Sequence, residues 1–264
     1  MQSRLNNKKV VITGASSGIG EALSKQLASE GVTPIMLARS LDKLRQLQKQ
    51  ITEEFAIEAF YYQIDLTNEQ AIDTIVPQII NDHGQIHALV NNAGVGVFNY
   101  VHETDWDSIQ QMINLNVLSL IRITKLFLPH FIANQEGHII NIASQAGKIS
   151  TPKSAVYAAT KHAVLGFTNA IRQELSQHNI LVTAVNLGPV RTNFFLQADP
   201  EGRYQENVAK YMLDPKVVAT QITKSLFTSK RELNMPLWMD VGSKLYQLFP
   251  SLMEMILKKQ FNKK

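Results

Sequence analysis

Cysteine is missing from all 264 residues. Disulfides, thiolate nucleophiles and cysteine-ligated zinc or iron–sulfur centres are thereby excluded, and a reducing, cytoplasmic setting is the expectation. No uninterrupted apolar run reaches the roughly 18 residues of a membrane span. The polar stretch from Met1 to Lys9 has no signal-peptide core. Low-complexity tracts and internal repeats are absent as well. His83 and His87 have a ligand spacing, but Gly84 interrupts a helix between them, so no metal is expected and both read as solvated or capping residues. The excess of basic over acidic residues is only four, and the lysines and arginines are spread over many segments without forming one stripe, the clearest cluster lying at the end, so nucleic acid is not an expected partner.

What remains is material for a large core. Hydrophobic residues make up 45% of the chain and charged ones 18%, a balance that suits one domain over 1–264 without extended disorder.

Short β-branched or apolar runs recur at 9–13, 34–38, 59–64, 87–91, 137–143, 180–187 and 233–239, with longer helical patterns between them. Such alternation predicts an α/β fold: a doubly wound parallel sheet of about seven strands with helices on both sides. Ligands of such a sheet gather at the carboxyl ends of the strands.

The first strand pattern runs into Thr13-Gly14-Ala15-Ser16-Ser17-Gly18-Ile19-Gly20, and a helical pattern follows. Glycines in that position let the backbone turn sharply and approach a pyrophosphate at the helix N-terminus. Gly14, Ser16, Ser17, Gly18, Ile19 and Gly20 are therefore candidate cofactor ligands. A carboxylate about 20 residues further on holds the ribose hydroxyls of NAD. Here Ala38 occupies that place and Arg39 follows, a guanidinium suited to a 2′-phosphate. NADP(H) is expected as the preferred cofactor, with NAD(H) as the alternative.

Tyr157 and Lys161 lie four residues apart, on one face of a helix, thirteen residues after Ser144. An ammonium beside a phenol favours phenolate, and the pair is expected to exchange protons near neutral pH.

Together these segments resemble the short-chain dehydrogenase/reductase family. The resemblance rests on TGASSGIG at 13–20, Asp65-Leu66-Thr67, Asn91-Asn92-Ala93-Gly94, Asn116, Ser144, Tyr157 with Lys161, and Asn186-Leu187-Gly188-Pro189-Val190-Arg191-Thr192. It implies a Rossmann-like fold and hydride transfer between a nicotinamide and a carbonyl or alcohol carbon. Tyr157 would be the proton donor, Ser144 would bind the substrate oxygen, Lys161 would hold the ribose and lower the tyrosine pKa, and Asn116 would hold a connecting water. Asp65 and Leu66 would meet the adenine, Asn92, Ala93 and Gly94 would line the nucleoside pocket, and Gly188, Val190 and Thr192 would lie near the carboxamide. Leu187 stands where the family often has proline. A homodimer or homotetramer through the helices carrying Asn116 and Tyr157 is implied too. The remaining alternatives are an NAD-dependent alcohol dehydrogenase and a cofactor-sensing protein without chemistry.

By the same resemblance, residues 188–213, with Phe194, Phe195, Leu196, Tyr204, Tyr211 and Met212, would cover the substrate, a bulky apolar ketone or aldehyde. Val95, Val97, Phe98 and Tyr100 could face them. Residues 241–264 read as a helical extension opened by a Ser251-to-Glu254 capping box and ending in Lys258, Lys259, Lys263 and Lys264. Packing on the body or on a second subunit is the expectation for it, ahead of membrane contact.

Overall fold

The computed structural model describes residues 4–261, with side chains to Ile256. Its strands are β1 (Lys9–Thr13), β2 (Thr33–Ala38), β3 (Phe60–Gln63), β4 (Ala88–Asn91), β5 (Gly137–Ile142), β6 (Ile180–Leu187) and β7 (Glu232–Met235). They form one sheet in the order β3-β2-β1-β4-β5-β6-β7, with every pairing parallel. The order reverses between β1 and β4, which opens a crevice at the carboxyl ends there. This is the Rossmann-like arrangement expected from the sequence.

Alternation along the strands divides the core. Val10, Ile12, Met36, Ile140 and Val185 face helices α1 (Gly18–Ser29), α2 (Leu41–Phe55) and α9 (Pro215–Ser225). Val11, Ile35, Leu89, Ile139 and Val182 face α3 (Glu69–His83), α5 (Ser119–Asn134) and α6 (Ala155–Glu174). Strands buried on both faces read as continuous apolar runs, which is why their positions were visible. Phe127 and Phe131 of α5, both fully buried, stack at 5.9 Å in the second layer. Each aromatic side chain so buried contributes on the order of 1.5–3 kcal/mol.

Caps explain several helix starts. The Asn68 side chain accepts from the Ala71 N–H at 3.0 Å to open α3. Asp214 accepts from Lys216 and Pro215 takes the first helical position of α9. Asp65 accepts from the Thr67 N–H and hydroxyl within the turn before α3.

Two regions differ from the sequence expectation. The last strand ends at Met235, and α10 (Leu237–Leu248) begins where 236–239 reads as strand. α11 (Pro250–Phe261) then starts at Pro250, so Ser251 lies inside it and does not cap. Glu254 accepts from the Tyr246 hydroxyl at 2.8 Å, which ties α11 to α10. Lys263 and Lys264 lie outside the described residues. One helix, Trp106–Asn134, is long and apolar enough to cross a membrane by length and composition, but its Phe127 and Phe131 are fully buried in the core just described.

The two histidines are buried, not solvated. His87 Nδ1 accepts from the Lys9 N–H at 3.1 Å, and burial pushes its pKa down to about 4, keeping it neutral. His83 lies 2.7 Å from the Tyr62 hydroxyl, and burial lowers its pKa as well.

Candidate active site

The loop after β1 is built around close approaches. Gly14 has a φ of +66°, and a Cβ there would lie 2.9 Å from Ala93 Cα. The loop after β4 closes against it: Asn92 Nδ2 donates to the Thr13 carbonyl at 2.9 Å, and the Thr13 hydroxyl accepts from the N–H groups of Asn92 and Ala93. Ala15 N–H donates to the Leu37 carbonyl, which sets Arg39 and Asp65 at the same sheet end as the glycine turn. Both are exposed, and the Arg39 charge helps hold the Asp65 carboxyl below its usual range, after the Thr67 hydrogen bond.

Between this turn and β6 lies a cavity of about 480 Å³. Ile19, Asn92, Gly94, Ser144, Tyr157, Lys161, Gly188, Val190 and Thr192, all expected site residues, line it. Ser16 and Ser17 line a separate concavity on the far side of the glycine turn, which Gly18 and Thr192 also border. Neither hollow is lined by Gly14, Gly20, Arg39, Asp65, Leu66, Ala93 or Asn116. The two glycines shape the turn, and the Leu66 side chain is a buried part of the core below α3.

Ser144 follows β5 at the head of a short 3₁₀ turn (Gln145–Gly147), where its hydroxyl accepts from the Ala146 N–H at 3.1 Å. Tyr157 and Lys161 project from the first turns of α6. Lys161 is 6% exposed and donates to the Ile142 carbonyl at 2.9 Å, and burial lowers its pKa to about 8. Burial pushes the Tyr157 phenol up to about 12, against a partial lowering by a hydrogen bond with Ser144. The expected direction is thus reversed. With Lys161 Nζ 5.8 Å from the ring centroid and itself in a poor environment for charge, desolvation outweighs attraction and the phenol holds its proton.

Asn116 was expected within one long helix. It sits in a π-helical segment, Asn114–Leu118, between α4 (Trp106–Ile113) and α5. Such a bulge widens one turn and re-aims its side chains. The buried Asn116 amide accepts from the Val95 N–H at 2.9 Å and donates to the Val95 carbonyl at 2.8 Å and to Thr160 at 3.1 Å. It clamps the loop after β4, so most of its hydrogen-bonding capacity is committed to protein and not to water. A Cβ on Gly94 would come within 3.2 Å of Asn116 Oδ1 and 3.6 Å of Lys161 Nζ, which puts both groups beside that loop.

The remaining wall is apolar. Phe98 stands edge-on to Tyr157 at 5.7 Å and to Tyr204 at 5.2 Å, and Phe194 lies 5.7 Å from Tyr157. Phe195, Asn207, Val208 and Tyr211 add to the part contributed by 188–213, which folds into α7 (Phe194–Ala198), α8 (Arg203–Val208) and a 3₁₀ turn. Leu196 and Tyr100 point to solvent instead, and Val95, Val97 and Met212 do not reach the cavity. Sequence reasoning missed Gln145, Ile149, Trp238, Met239 and Gly242, which also line it. The last three lie on α10, whose helical spacing was hidden by reading 233–239 as a strand. Lys148 holds that helix down. Its ammonium donates to Glu232 at 2.7 Å, Asp240 at 2.9 Å and Asn234 at 3.0 Å.

The site's chemistry fits a nicotinamide nucleotide: a glycine turn at a helix N-terminus, a buried lysine, and a cavity reaching from Ile19 to Thr192 past the phenol. Among the described residues no His, Cys, Asp and Glu cluster could hold a metal.

Comparisons with known proteins agree with this geometry. The short chain dehydrogenase family model matches residues 8–202. An uncharacterized oxidoreductase of Staphylococcus haemolyticus is 34% identical over 224 residues, covering 85% of this chain and 93% of that one. A solved metagenomic short-chain oxidoreductase in complex with NADP superposes with a TM-score of 0.75 at 30% identity, over 88% of this chain and 97% of that one. The alcohol dehydrogenase of the archaeon Thermococcus sibiricus, complexed with 5-hydroxy-NADP, gives 0.79 at 26% identity, over 87% and 96%. Matched by its family model over most of its length and built on the same sheet, the chain belongs to the short-chain dehydrogenase family of oxidoreductases.

Proposed function

We propose that the protein is an NADPH-dependent carbonyl reductase acting on a bulky, apolar ketone or aldehyde. The observation that carries this reading is the convergence of Ser144, Tyr157 and Lys161 on one cavity whose outer wall is Phe98, Phe194, Phe195, Tyr204 and Met239. Two relatives by structure are complexed with NADP or a hydroxylated form of it, which supports the cofactor type.

When bound, the nicotinamide supplies the hydride. The chain's own residues then have defined tasks. Ser144, free to turn its hydroxyl from its long 3.3 Å contact with the Leu187 carbonyl, hydrogen-bonds the substrate oxygen. Tyr157 gives that oxygen its proton. A phenol held protonated by burial suits donation, and so favours reduction over oxidation. Lys161 turns its ammonium from the Ile142 carbonyl to the ribose hydroxyls. Arg39 meets the 2′-phosphate, with Asp65 beside it near the adenine. Val190, Gly188 and Thr192 lie at the carboxamide. Asn116 acts mainly by fixing the loop at Val95, and a proton-relaying water would have to use what hydrogen-bonding capacity this clamp leaves.

We further propose one domain, a cytoplasmic setting, and a homodimer or homotetramer formed through the helical run that carries Asn116 and through α6, with Ile113 of α4 and Leu118 of the π-helical segment exposed beside Asn116. The test of function is NADPH consumption against a panel of aldehydes, ketones, quinones and 3-oxoacyl compounds, repeated with NADH. The reading predicts turnover with apolar carbonyls and a lower KM for NADPH. A clear preference for NADH, or no turnover with any carbonyl, contradicts it.

A further inference from the structure

On α10 the two buried residues are polar, and both C-terminal helices expose large apolar side chains. On α10 the covered positions are Asp240 and Ser243, which are held by Lys148 and by the helix backbone. Trp238, Val241, Leu245 and Leu248 fall on another face of α10 at helical spacing, and Leu252 and Met255 on α11 are exposed as well. These six side chains are between 44% and 70% exposed. A helix on the surface of a soluble domain ordinarily turns its charged face outward. A run of large exposed apolar side chains of this length marks an interaction surface.

Charge identifies the occupant. Residues 241–264 contain five lysines and one glutamate, so they carry the protein's entire net charge of +4, and residues 1–240 are neutral overall. The single glutamate is bonded to Tyr246. An apolar helical face joined to a run of lysines is the composition that lies in the headgroup region of an anionic bilayer, where apolar burial and attraction to lipid phosphates add. A second copy of the same face would bring +4 against +4.

We propose that α10 and α11 dock the protein on an anionic lipid surface. Tyr211 and Trp238 stand 5.7 Å apart, are both exposed, and both line the catalytic cavity. Docking therefore brings the cavity mouth to the lipid. The surface itself does not depend on the proposed reaction.

The test is sedimentation of the full-length protein with vesicles of phosphatidylcholine containing phosphatidylserine, compared with phosphatidylcholine alone, at low and high salt. Binding to the anionic vesicles that weakens with salt is the expected result. The variant Leu245→Glu/Leu248→Glu/Leu252→Glu, altered outside the cavity, should lose vesicle affinity by about tenfold or more while keeping turnover of a water-soluble carbonyl compound. Wild-type protein remaining in the supernatant at low salt overturns the proposal, as does equal binding by the triple variant. Analytical ultracentrifugation without lipid adds a further outcome. A dimer broken by the triple variant, with no vesicle binding by the wild type, would assign the face to a second copy and overturn lipid docking.

Discussion

At the scale of single residues, the site depends on an amine and a phenol that folding places at a disadvantage. Lys161 is buried with a carbonyl for a partner and no carboxylate, and its pKa falls from 10.5 to about 8. Below pH 8 the folded state bears the cost of that charge. As pH rises from 8 towards 10.5 the folded protein releases a proton that the unfolded chain still holds, so stability rises. Lys161→Met should therefore raise stability at pH 7 by up to about 3 kcal/mol while abolishing turnover, and its advantage over wild type should shrink towards pH 10. Urea denaturation at pH 7 and pH 10 measures both. Tyr157 has the opposite sign. Its raised pKa contributes stability that is complete below pH 10 and is lost as pH climbs towards about 12. In the proposed reaction the same shift keeps the donor loaded, so reduction should hardly vary between pH 6 and about 7 and should weaken above about 8 only as Lys161 loses its charge, whereas alcohol oxidation, which needs the phenolate, should gain from rising pH up to the same point. Initial rates in both directions across pH check this. Arg39, exposed after β2, should matter only to the phosphate: Arg39→Ala is expected to raise KM for NADPH about tenfold or more and leave KM for NADH nearly unchanged.

At the scale of elements, the anchoring of α10 decides the shape of the substrate wall. Lys148, 10% exposed, bridges Glu232 and Asp240, and Lys244 pairs with the second Asp240 oxygen at 2.8 Å. Removing one partner from a buried ion cluster leaves uncompensated charge and costs about 3–5 kcal/mol. Lys148→Met should destabilise the fold by an amount of this order and, because Met239 and Trp238 ride on the freed helix, raise KM for an apolar carbonyl more than it lowers kcat. Denaturation curves and steady-state kinetics of the variant separate the two effects.

The same element marks the limit of what the residues disclose unaided. β1 and β6 were legible to the residue because two-sided burial writes them as apolar runs. The glycine turn and the pairing of Tyr157 with Lys161 were legible because their chemistry fixes spacing. α10 was not. Leu233 to Met239 reads as continuous strand, but Pro236, which cannot donate to a ladder, caps α10 and ends the strand at Met235, and the turn it opens packs against Gly188, whose Cβ would meet Met239 Sδ at 2.7 Å. The role of Asn116 was hidden for a similar reason. No local pattern announces a π-helical turn, and its clamp on Val95 joins residues 21 positions apart. The direction of the Tyr157 shift needed the depth of burial, which spacing along one helix does not contain.

At the scale of the whole molecule, the sheet gathers the loops after β1 and β4 at one end, and α10 lies at the edge of the cavity formed there. The charge balance divides in the same way, with 1–240 neutral and the basic excess on the last two helices and beyond. Chemistry and docking thus sit side by side without sharing residues, apart from Trp238 at the mouth. The central claim remains the task given to Tyr157. Its most direct measurement compares NADPH binding, by fluorescence titration, and NADPH-dependent carbonyl turnover in wild type and Tyr157→Phe. The account predicts an unchanged fold, NADPH affinity close to wild type, and turnover lower by a factor of about 100 to 10,000. Turnover near the wild-type rate with the phenol removed would contradict it.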